Sequence, residues 1–260
     1  MFSTLSAILV IAYRDVLKFL RDTPRIIMSL IFPILFVGVL GSSMQANLGA
    51  ASGKDLLTFT FLGVLAQTLF QSTAGGIVSL IEDRENDYSQ EIFVSPVSRY
   101  SILLGKIVGE SAVSFLQVIG VVIFGLVIGV KLSLFQLAVL TPVAIISCLL
   151  GGAFGIVILA NLSNQRTANQ VFPFLLLPQL FVAGVFSPIN NLPLPLLIIS
   201  RIAPLTYAVD LTRGVYYAAG NIQTDLTLFS PLFNLGVIAL MFTIFLSIGT
   251  FLFVRNEKNK

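Results

Sequence analysis

Glu110 is the one charged residue in the otherwise uncharged apolar run 107–130. A charge at the centre of a bilayer costs about 2.5 to 3.5 kcal/mol, so a carboxylate in such a run is a candidate functional group. Glu110 also follows Lys106 by four residues, which places both side chains on one face of a helix. Two interpretations follow: a structural ion pair near the membrane surface, or a group that couples transport to proton movement.

Several kinds of chemistry lack the residues they need. The sequence has no histidine and one cysteine, Cys148, so it offers neither a His/Cys zinc site nor a histidine base. It also lacks the Gly-x-x-x-x-Gly-Lys-Ser/Thr pattern of a P-loop. We therefore expect a protein that is not an enzyme, with no catalytic, cofactor-binding or metal-ligating residues. Cys148 is expected to be a buried apolar filler.

Charged residues concentrate between positions 82 and 106, which hold eight of the 27 charged residues (15 Lys and Arg, 12 Asp and Glu). A short helix over 84–94 would place Tyr88 and Ile92 one turn apart, with Phe93 beside them, and Pro96 would end it. An exposed helix with such a patch is suited to dock into a groove on a soluble partner. The alternative is an ordinary solvated connector.

A second unusual segment, 187–225, is apolar in its first half but interrupted by prolines at positions 188, 193, 195 and 204. These prolines exclude one continuous helix and predict a re-entrant hairpin in the outer leaflet. An irregular surface loop is the alternative, but it would expose much apolar sequence to water. Asp210 and Arg213 are three residues apart and could pair on one face of a short helix after Pro204, near Tyr207.

The elements that position these residues are long and apolar. Uncharged runs cover 26–53, 56–81, 132–165, 167–200 and 226–254, and about 20 apolar residues suffice for a transmembrane helix. Hydrophobic residues make up 56% of the chain and charged residues 10%. The sequence predicts an all-α, polytopic membrane protein with six transmembrane helices in a single domain over 26–260. The spans are expected at about 26–46, 56–81, 102–130, 134–160, 169–186 and 231–254.

Residues 1–25 precede the first span and predict an amphipathic helix that ends at Pro24. Leu5, Leu9 and Leu20 fall on its apolar face, and Asp15 lies away from that face. We expect this helix to lie in the membrane interface. A solvated helix packed on its own protein is the alternative.

Basic residues predict the orientation of the six spans. One side of the membrane, which carries both termini, holds eleven of them: Arg14, Lys18, Arg21, Arg25, Arg84, Arg99, Lys106, Arg166, Arg255, Lys258 and Lys260. The other side holds four: Lys54, Lys131, Arg201 and Arg213. The positive-inside rule therefore predicts cytoplasmic termini in the cell membrane, with a cytoplasmic loop at 82–101 and an outer segment at 187–225. Because the basic residues are dispersed, we expect no nucleic-acid partner.

Three strings carry a resemblance to a known family. Asp83-Arg84-Glu85, Ser95-Pro96-Val97-Ser98-Arg99 and Ile102-Leu103-Leu104-Gly105-Lys106 resemble the cytoplasmic loop of the type-2 ABC exporter permeases. The segment from Ser187-Pro188-Ile189 to Ala203-Pro204-Leu205-Thr206-Tyr207 is similar to the outer segment of the same family. The resemblance implies two permease copies, as a homodimer, and ABC ATPase subunits that bind ATP and Mg²⁺.

The resemblance also implies roles for individual residues. Those expected to couple the chain to an ATPase are Arg84, Glu85, Tyr88, Glu91, Ile92, Phe93 and Pro96. Those expected to form an outer gate are Pro188, Pro204, Tyr207, Asp210 and Arg213.

The predicted function is export of an amphipathic or lipid-like substrate from the cytoplasm or inner leaflet, driven by ATP that a separate subunit hydrolyses. Isolated polar residues in apolar spans suit such a substrate: Gln67, Gln71, Gln117, Asn161, Gln165 and Gln179. The competing hypothesis is a self-sufficient secondary transporter or channel, with Glu110 as its coupling group.

Overall fold

A computed structural model of the chain describes residues 4–49, 55–81, 99–162, 164–189, 192–222 and 226–258, and among them it has helices and no strands. The helices are α1 Thr4–Arg21, α2 Thr23–Gly49, α3 Leu56–Gly76, α4 Arg99–Val127, α5 Leu134–Leu159, α6 Gln165–Val182, α7 Leu194–Ile202, α8 Pro204–Ala219 and α9 Pro231–Lys258. Two stretches of α2, Phe36–Gly41 and Gln45–Gly49, are wound as π-helix. The all-α prediction is confirmed.

Five helical segments in the described residues are long and apolar enough to cross a membrane: Thr23–Gly49, Leu56–Ile81, Ser101–Val127, Leu134–Leu159 and Pro231–Leu252. They correspond to five of the six predicted spans. The exception is the predicted span 169–186, where the structure has α6. This helix has 18 residues, begins with a polar turn and contains Pro173 and Pro178, so it does not qualify by composition.

The bent pair formed by α7 and α8 lies where we predicted the outer hairpin. The two helices meet at 82° around Ala203, and together they are long and apolar enough to be counted as a sixth span. Pro204 occupies the first turn of α8, where its missing N–H leaves no hydrogen bond unmade. Pro204 therefore accounts for the break between α7 and α8. Re-entry of this pair into the outer leaflet stays a prediction.

Helix α3 lies at the centre of the bundle. It contacts α2, α4, α5 and α8, and its side chains are buried almost all round from Phe59 to Phe70. A helix that is apolar on every face must be surrounded by protein or lipid. Here protein surrounds it, so α3 is the scaffold on which the other spans are arranged.

Small residues allow α5 to approach α3 closely. A Cβ added at Gly155 would lie 2.6 Å from the carbonyl oxygen of Ala74, and one added at Gly151 would collide with the carbonyl oxygen of Phe70. Residues four apart share a helix face, and small side chains at this spacing bring membrane helices together. The backbones of α3 and α5 are therefore in direct contact.

The amino-terminal helix α1 packs along α4. Its residues Ala12, Asp15 and Phe19 are buried, and a Cβ at Gly109 of α4 would be 3.0 Å from the Cα of Ala12. The predicted helix boundary before Pro24 is confirmed, because α1 ends at Arg21 and α2 begins at Thr23. Asp22 lies between them and caps α2 by accepting a hydrogen bond from the Arg25 backbone N–H at 3.0 Å.

The face of α1 that packs against the rest of the protein carries Asp15, and the leucines of the predicted apolar face lie on another side of the helix. Leu5, Leu9 and Leu20, which we expected on the apolar face, are more than half exposed, and Asp15 is buried. The reason is that α1 packs through the face that carries Asp15, where α4 offers a cationic partner. Insertion of the exposed leucines into the membrane interface stays a prediction.

Replacing Gly155 with alanine tests the contact between α3 and α5. Because the new Cβ would press on the backbone of Ala74, we expect Gly155→Ala to lower the free energy of unfolding by about 1 to 3 kcal/mol. Thermal unfolding of the purified protein in detergent measures this. Gly236→Ala in α9 is the matched control, since a Cβ there meets nothing within 4 Å. Equal stability of the two variants would contradict the close contact.

Candidate functional site

The seven residues predicted to couple the chain to an ATPase lie outside the described residues, so their roles stay predictions. They are Arg84, Glu85, Tyr88, Glu91, Ile92, Phe93 and Pro96. The structure does describe the two helices that flank this segment. The span that contains α3 continues to Ile81, and α4 begins at Arg99.

A buried charge cluster lies near these two helix ends. The Lys106 ammonium is 2.8 Å from the Oδ2 atom of Asp15 and 3.1 Å from the Oε1 atom of Glu110, and each of the three side chains is 2% exposed. The predicted pairing of Lys106 with Glu110 is thus confirmed. Asp15 was not predicted to take part, and it brings α1 into the cluster.

Glu110 also has polar neighbours on α2 and at the end of α3. Its Oε2 atom is 3.7 Å from a guanidinium nitrogen of Arg25, and its Oε1 atom accepts a hydrogen bond of 3.5 Å from the Ser79 hydroxyl. Gly76 makes room for the carboxylate, since a Cβ there would collide with it. The cluster therefore joins α1, α2, α4 and the end of the α3 span.

The energetics of such a cluster are asymmetric. Desolvation of buried charges offsets most of their mutual attraction, but removing one partner leaves a charge uncompensated and costs about 3 to 5 kcal/mol. Asp15 and Lys106 are 91 residues apart in sequence, so nothing local predicts their contact. The sequence does carry one signal of this packing: Gly105 and Gly109 lie four residues apart, on one face of α4. Small residues at this spacing permit another helix to approach closely.

On the opposite side of α3, Arg213 of α8 is buried and bound by carbonyl oxygens. Its guanidinium donates to Gly184 at 2.8 Å, to Val185 at 2.9 Å and to Phe59 at 3.1 Å. Its Cζ atom also lies 3.4 Å from the centroid of the Phe59 ring. Arg213 therefore ties α8 to α3 and to the chain just after α6.

Asp210 is also buried but has a different set of partners. Its carboxylate accepts hydrogen bonds from the backbone N–H groups of Leu228 at 2.7 Å and Phe229 at 2.9 Å, and from the Asn234 side chain at 2.7 Å. Asp210 thereby fixes the turn that leads into α9.

The predicted pairing of Asp210 with Arg213 is therefore wrong. Both residues lie on α8, but they bind different parts of the protein, and neither is on a solvated face. An exposed pair of this kind is worth only about 0 to 1 kcal/mol. Three carbonyl oxygens around Arg213 and three N–H donors around Asp210 outweigh that gain.

The other predicted gate residues surround the same bend. Tyr207 donates a hydrogen bond of 2.8 Å to the carbonyl oxygen of Arg201. Its ring stacks on the ring of Phe229, with 6.1 Å between the two centroids. Pro204 is buried at the start of α8, and the exposed Pro188 borders a small cavity with Asp210 and Arg213. The structure brings all five residues together in one region, while their action as a gate stays a prediction.

Three of the six polar residues singled out in the spans line one cavity. Gln67 and Gln71 of α3 and Gln117 of α4 face a space of about 340 Å³ that α2 closes on its third side. Asn161, Gln165 and Gln179 do not line it. The cavity includes Arg25 at the edge of the charge cluster.

Comparison with known proteins defines the class. Residues 6–217 match the ABC-2 type transporter family, so the chain belongs to that family, as the loop strings predicted. It is an integral membrane subunit of an ABC transporter, and membership implies an ABC ATPase partner.

Two named relatives are similar to the chain. The putative transport permease ycf38 of Cyanophora paradoxa is 27% identical over 266 residues, which cover 99% of this chain and 91% of the relative. The probable multidrug ABC transporter permease YbhR of Escherichia coli K12 is 29% identical over 145 residues, 54% of this chain and 38% of the relative.

The charge cluster predicts strong coupling between Asp15 and Lys106. Lys106→Met should lower the free energy of unfolding by about 3 to 5 kcal/mol because two buried carboxylates lose their cation. The double variant with Asp15→Asn should be less unstable than the sum of the two single variants. Chemical or thermal unfolding in detergent measures these values. Arg21→Gln is the control: it removes an exposed cation from the same helix, away from the cluster, and we expect it to cost less than about 1 kcal/mol. Additive effects of Asp15→Asn and Lys106→Met would contradict the cluster.

Because Asp210 and Arg213 bind different partners, removing either side chain should lower the stability of the protein on its own. Asp210→Ala and Arg213→Ala should each lower stability by at least about 1.5 to 3 kcal/mol, the scale for hydrogen bonds to charged groups. The double variant should be less stable than either single variant, because the two side chains share no hydrogen-bond partner. Their opposite charges lie three residues apart and line one cavity, so its loss should stay below the full sum. Thermal unfolding of the four proteins tests this. A double variant no less stable than either single variant would show that the residues act as a directly bonded pair.

Proposed function

We propose that the chain is the permease subunit of an ATP-driven exporter. It moves an amphipathic or lipid-like molecule out of the cytoplasm or the inner leaflet, using ATP hydrolysed by a separate ATPase subunit. The observation that carries this proposal is the family match over 6–217. The polar cavity between three spans supports an amphipathic substrate, and the name of the Escherichia coli relative, a probable multidrug permease, agrees with it.

The 82–98 segment receives movement from the ATPase in this proposal. Arg84, Glu85, Tyr88, Glu91, Ile92, Phe93 and Pro96 form its docking surface. The segment connects α3 to α4, and the buried cluster of Asp15, Lys106 and Glu110 lies close to both helix ends. A displacement of the segment would therefore move α1, α3 and α4 together.

The assembly contains two permease copies as a homodimer in the cell membrane, with cytoplasmic termini. ATP and Mg²⁺ are bound by the ATPase subunits. At the outer side, the bend between α7 and α8 forms the gate, with Tyr207, Asp210 and Arg213 holding α8 against its neighbours.

The ion pairs of Glu110 weigh against the competing hypothesis of a secondary transporter or channel. A proton-coupling carboxylate must release its partners during transport. Glu110 instead lies 3.1 Å from the Lys106 ammonium, which Asp15 also binds. This arrangement supports a structural role for Glu110.

Charge introduced at the apolar patch of the 82–98 segment tests the coupling. Replacing both Ile92 and Phe93 with Asp should leave membrane insertion intact but abolish most ATP-dependent export, because the carboxylates would be desolvated in an apolar groove. Co-purification of the ATPase subunit and export from membrane vesicles are the measurements. Ser89→Asp with Ser95→Asp is the matched control, since it adds two charges to the same segment at polar positions. Normal export and normal ATPase association in the Ile92 and Phe93 variant would show that the segment is only a connector.

A further inference from the structure

The cavity between α2, α3 and α4 has the form of a ligand site. Its volume of about 340 Å³ falls within the range of small-molecule pockets, which are mostly apolar with a few convergent polar groups. The wall on α2 carries the apolar side chains of Met28, Phe32 and Pro33, together with Ser29 and Arg25. The opposite wall, on α3 and α4, carries the amides of Gln67, Gln71 and Gln117. Such a surface matches a molecule with both an apolar and a polar part.

Arg25 gives the polar end of this cavity a positive charge. It is the only charged residue among the described residues that line the cavity. In the adjacent cluster, Arg25 and Lys106 both lie near the carboxylate of Glu110, and Lys106 also binds Asp15. Lys106 occupies both carboxylates at 2.8 and 3.1 Å, whereas Arg25 approaches Glu110 only to 3.7 Å and its side chain is 36% exposed. Of the two cations near Glu110, Arg25 is therefore the more weakly paired, and its guanidinium can contact a group in the cavity.

Gln67 supplies an independent sign that a ligand belongs here. The residue is 3% exposed, and its Nε2 atom donates to the Oε1 atom of Gln71 at 2.8 Å. Its own Oε1 atom accepts no hydrogen bond from the described residues. Buried polar atoms in proteins are nearly always paired, and an unpaired one calls for an explanation. A hydroxyl or protonated phosphate oxygen of a ligand would provide the missing donor.

We propose that this cavity binds the anionic headgroup of an amphiphile, with the anionic group on Arg25 and a hydroxyl donor on Gln67. The hydrocarbon chain lies along Met28 and Phe32, toward the bilayer. The inference rests on the proposed function in one respect, since it makes this amphiphile the transported substrate. It narrows the substrate class from any amphipathic molecule to an anionic one, such as a phosphate monoester with an alkyl chain.

Binding of dodecyl phosphate to the purified full-length chain in maltoside micelles tests the headgroup chemistry. We expect dodecyl phosphate to bind, and inorganic phosphate and dodecyltrimethylammonium to bind at least about tenfold more weakly, the first because it lacks the chain and the second because it lacks the negative charge. Equal binding of inorganic phosphate would reduce the site to a free-anion site and overturn the proposal. Equal binding of the cationic amphiphile would also overturn it.

Variants locate the binding within the cavity. Arg25→Gln should weaken dodecyl phosphate binding by about tenfold or more, as expected for a lost charge-assisted contact, and Lys131→Gln at an exposed position should leave it unchanged. Arg25→Gln also removes the contact with Glu110, so a variant that leaves the charges intact is needed. Gly75→Leu fills the cavity, because a Cβ at Gly75 meets nothing within 4 Å. Gly236→Leu is its matched control, since Gly236 is equally open and lies in α9.

Loss of binding in Gly75→Leu but not in Gly236→Leu would support the proposal, and unchanged binding in Gly75→Leu would overturn it. The measurement needs no ATPase subunit, so its result is separate from that of the coupling test. If export requires ATP but dodecyl phosphate neither binds nor competes with export, the proposed function stands and this inference fails. If dodecyl phosphate binds as expected but no ATPase subunit associates, the site stands and the proposed function fails.

Discussion

The burial of Lys106 between Asp15 and Glu110 is the interaction on which the arrangement of the described helices depends. A lysine in a dry environment must be paired, and its two carboxylates come from its own helix and from α1. This requirement holds α1 against α4 instead of leaving it free at the membrane surface. It also fixes the position of Glu110, whose carboxylate occupies the space that Gly76 leaves at the end of α3. One buried cation thus sets the packing of three helices.

The same physical rule organises the other side of α3 with different partners. Polar groups buried inside a protein are nearly always satisfied by hydrogen bonds. Arg213 is satisfied by three backbone carbonyl groups and Asp210 by two backbone N–H groups and one side-chain amide. Most of these partners are backbone groups outside the helices: Gly184 and Val185 follow α6, and Leu228 and Phe229 precede α9. Such groups are free to bind side chains because they make no hydrogen bonds within a helix.

The scaffold role of α3 connects these two regions. Phe59, near its start, contacts Arg213, while Gly76 and the adjoining Ser79 at its other end contact Glu110. Gln67 and Gln71 lie between them and face the cavity. A rigid central helix with a charged contact at each end is suited to carry movement from one membrane surface to the other. The polar cavity lies on the same helix, which places the proposed substrate site between the proposed coupling segment and the proposed gate.

Local sequence determined the properties that depend on neighbouring residues. Runs of about 20 apolar residues fixed five spans because hydropathy and length are local quantities. The Lys106 and Glu110 pair followed from a spacing of four on one helix, and the strings in the 82–106 region indicated the family. The span predicted around α6 was harder to assign. The run is uncharged, as in a transmembrane helix, but its polar residues and two prolines lower its mean hydropathy.

Tertiary structure alone decided which distant groups meet. Asp15 and Lys106 are 91 residues apart, and Phe59 and Arg213 are 154 residues apart. The i and i+3 spacing suggested a bond between Asp210 and Arg213, but better partners in other elements displaced it. Buried charges take whatever partner the packed helices present, and helix packing is a property of the whole chain. For that reason the sequence identified Glu110, Asp210 and Arg213 as charged residues of interest but missed the part of Asp15, and only the folded structure showed what each one binds.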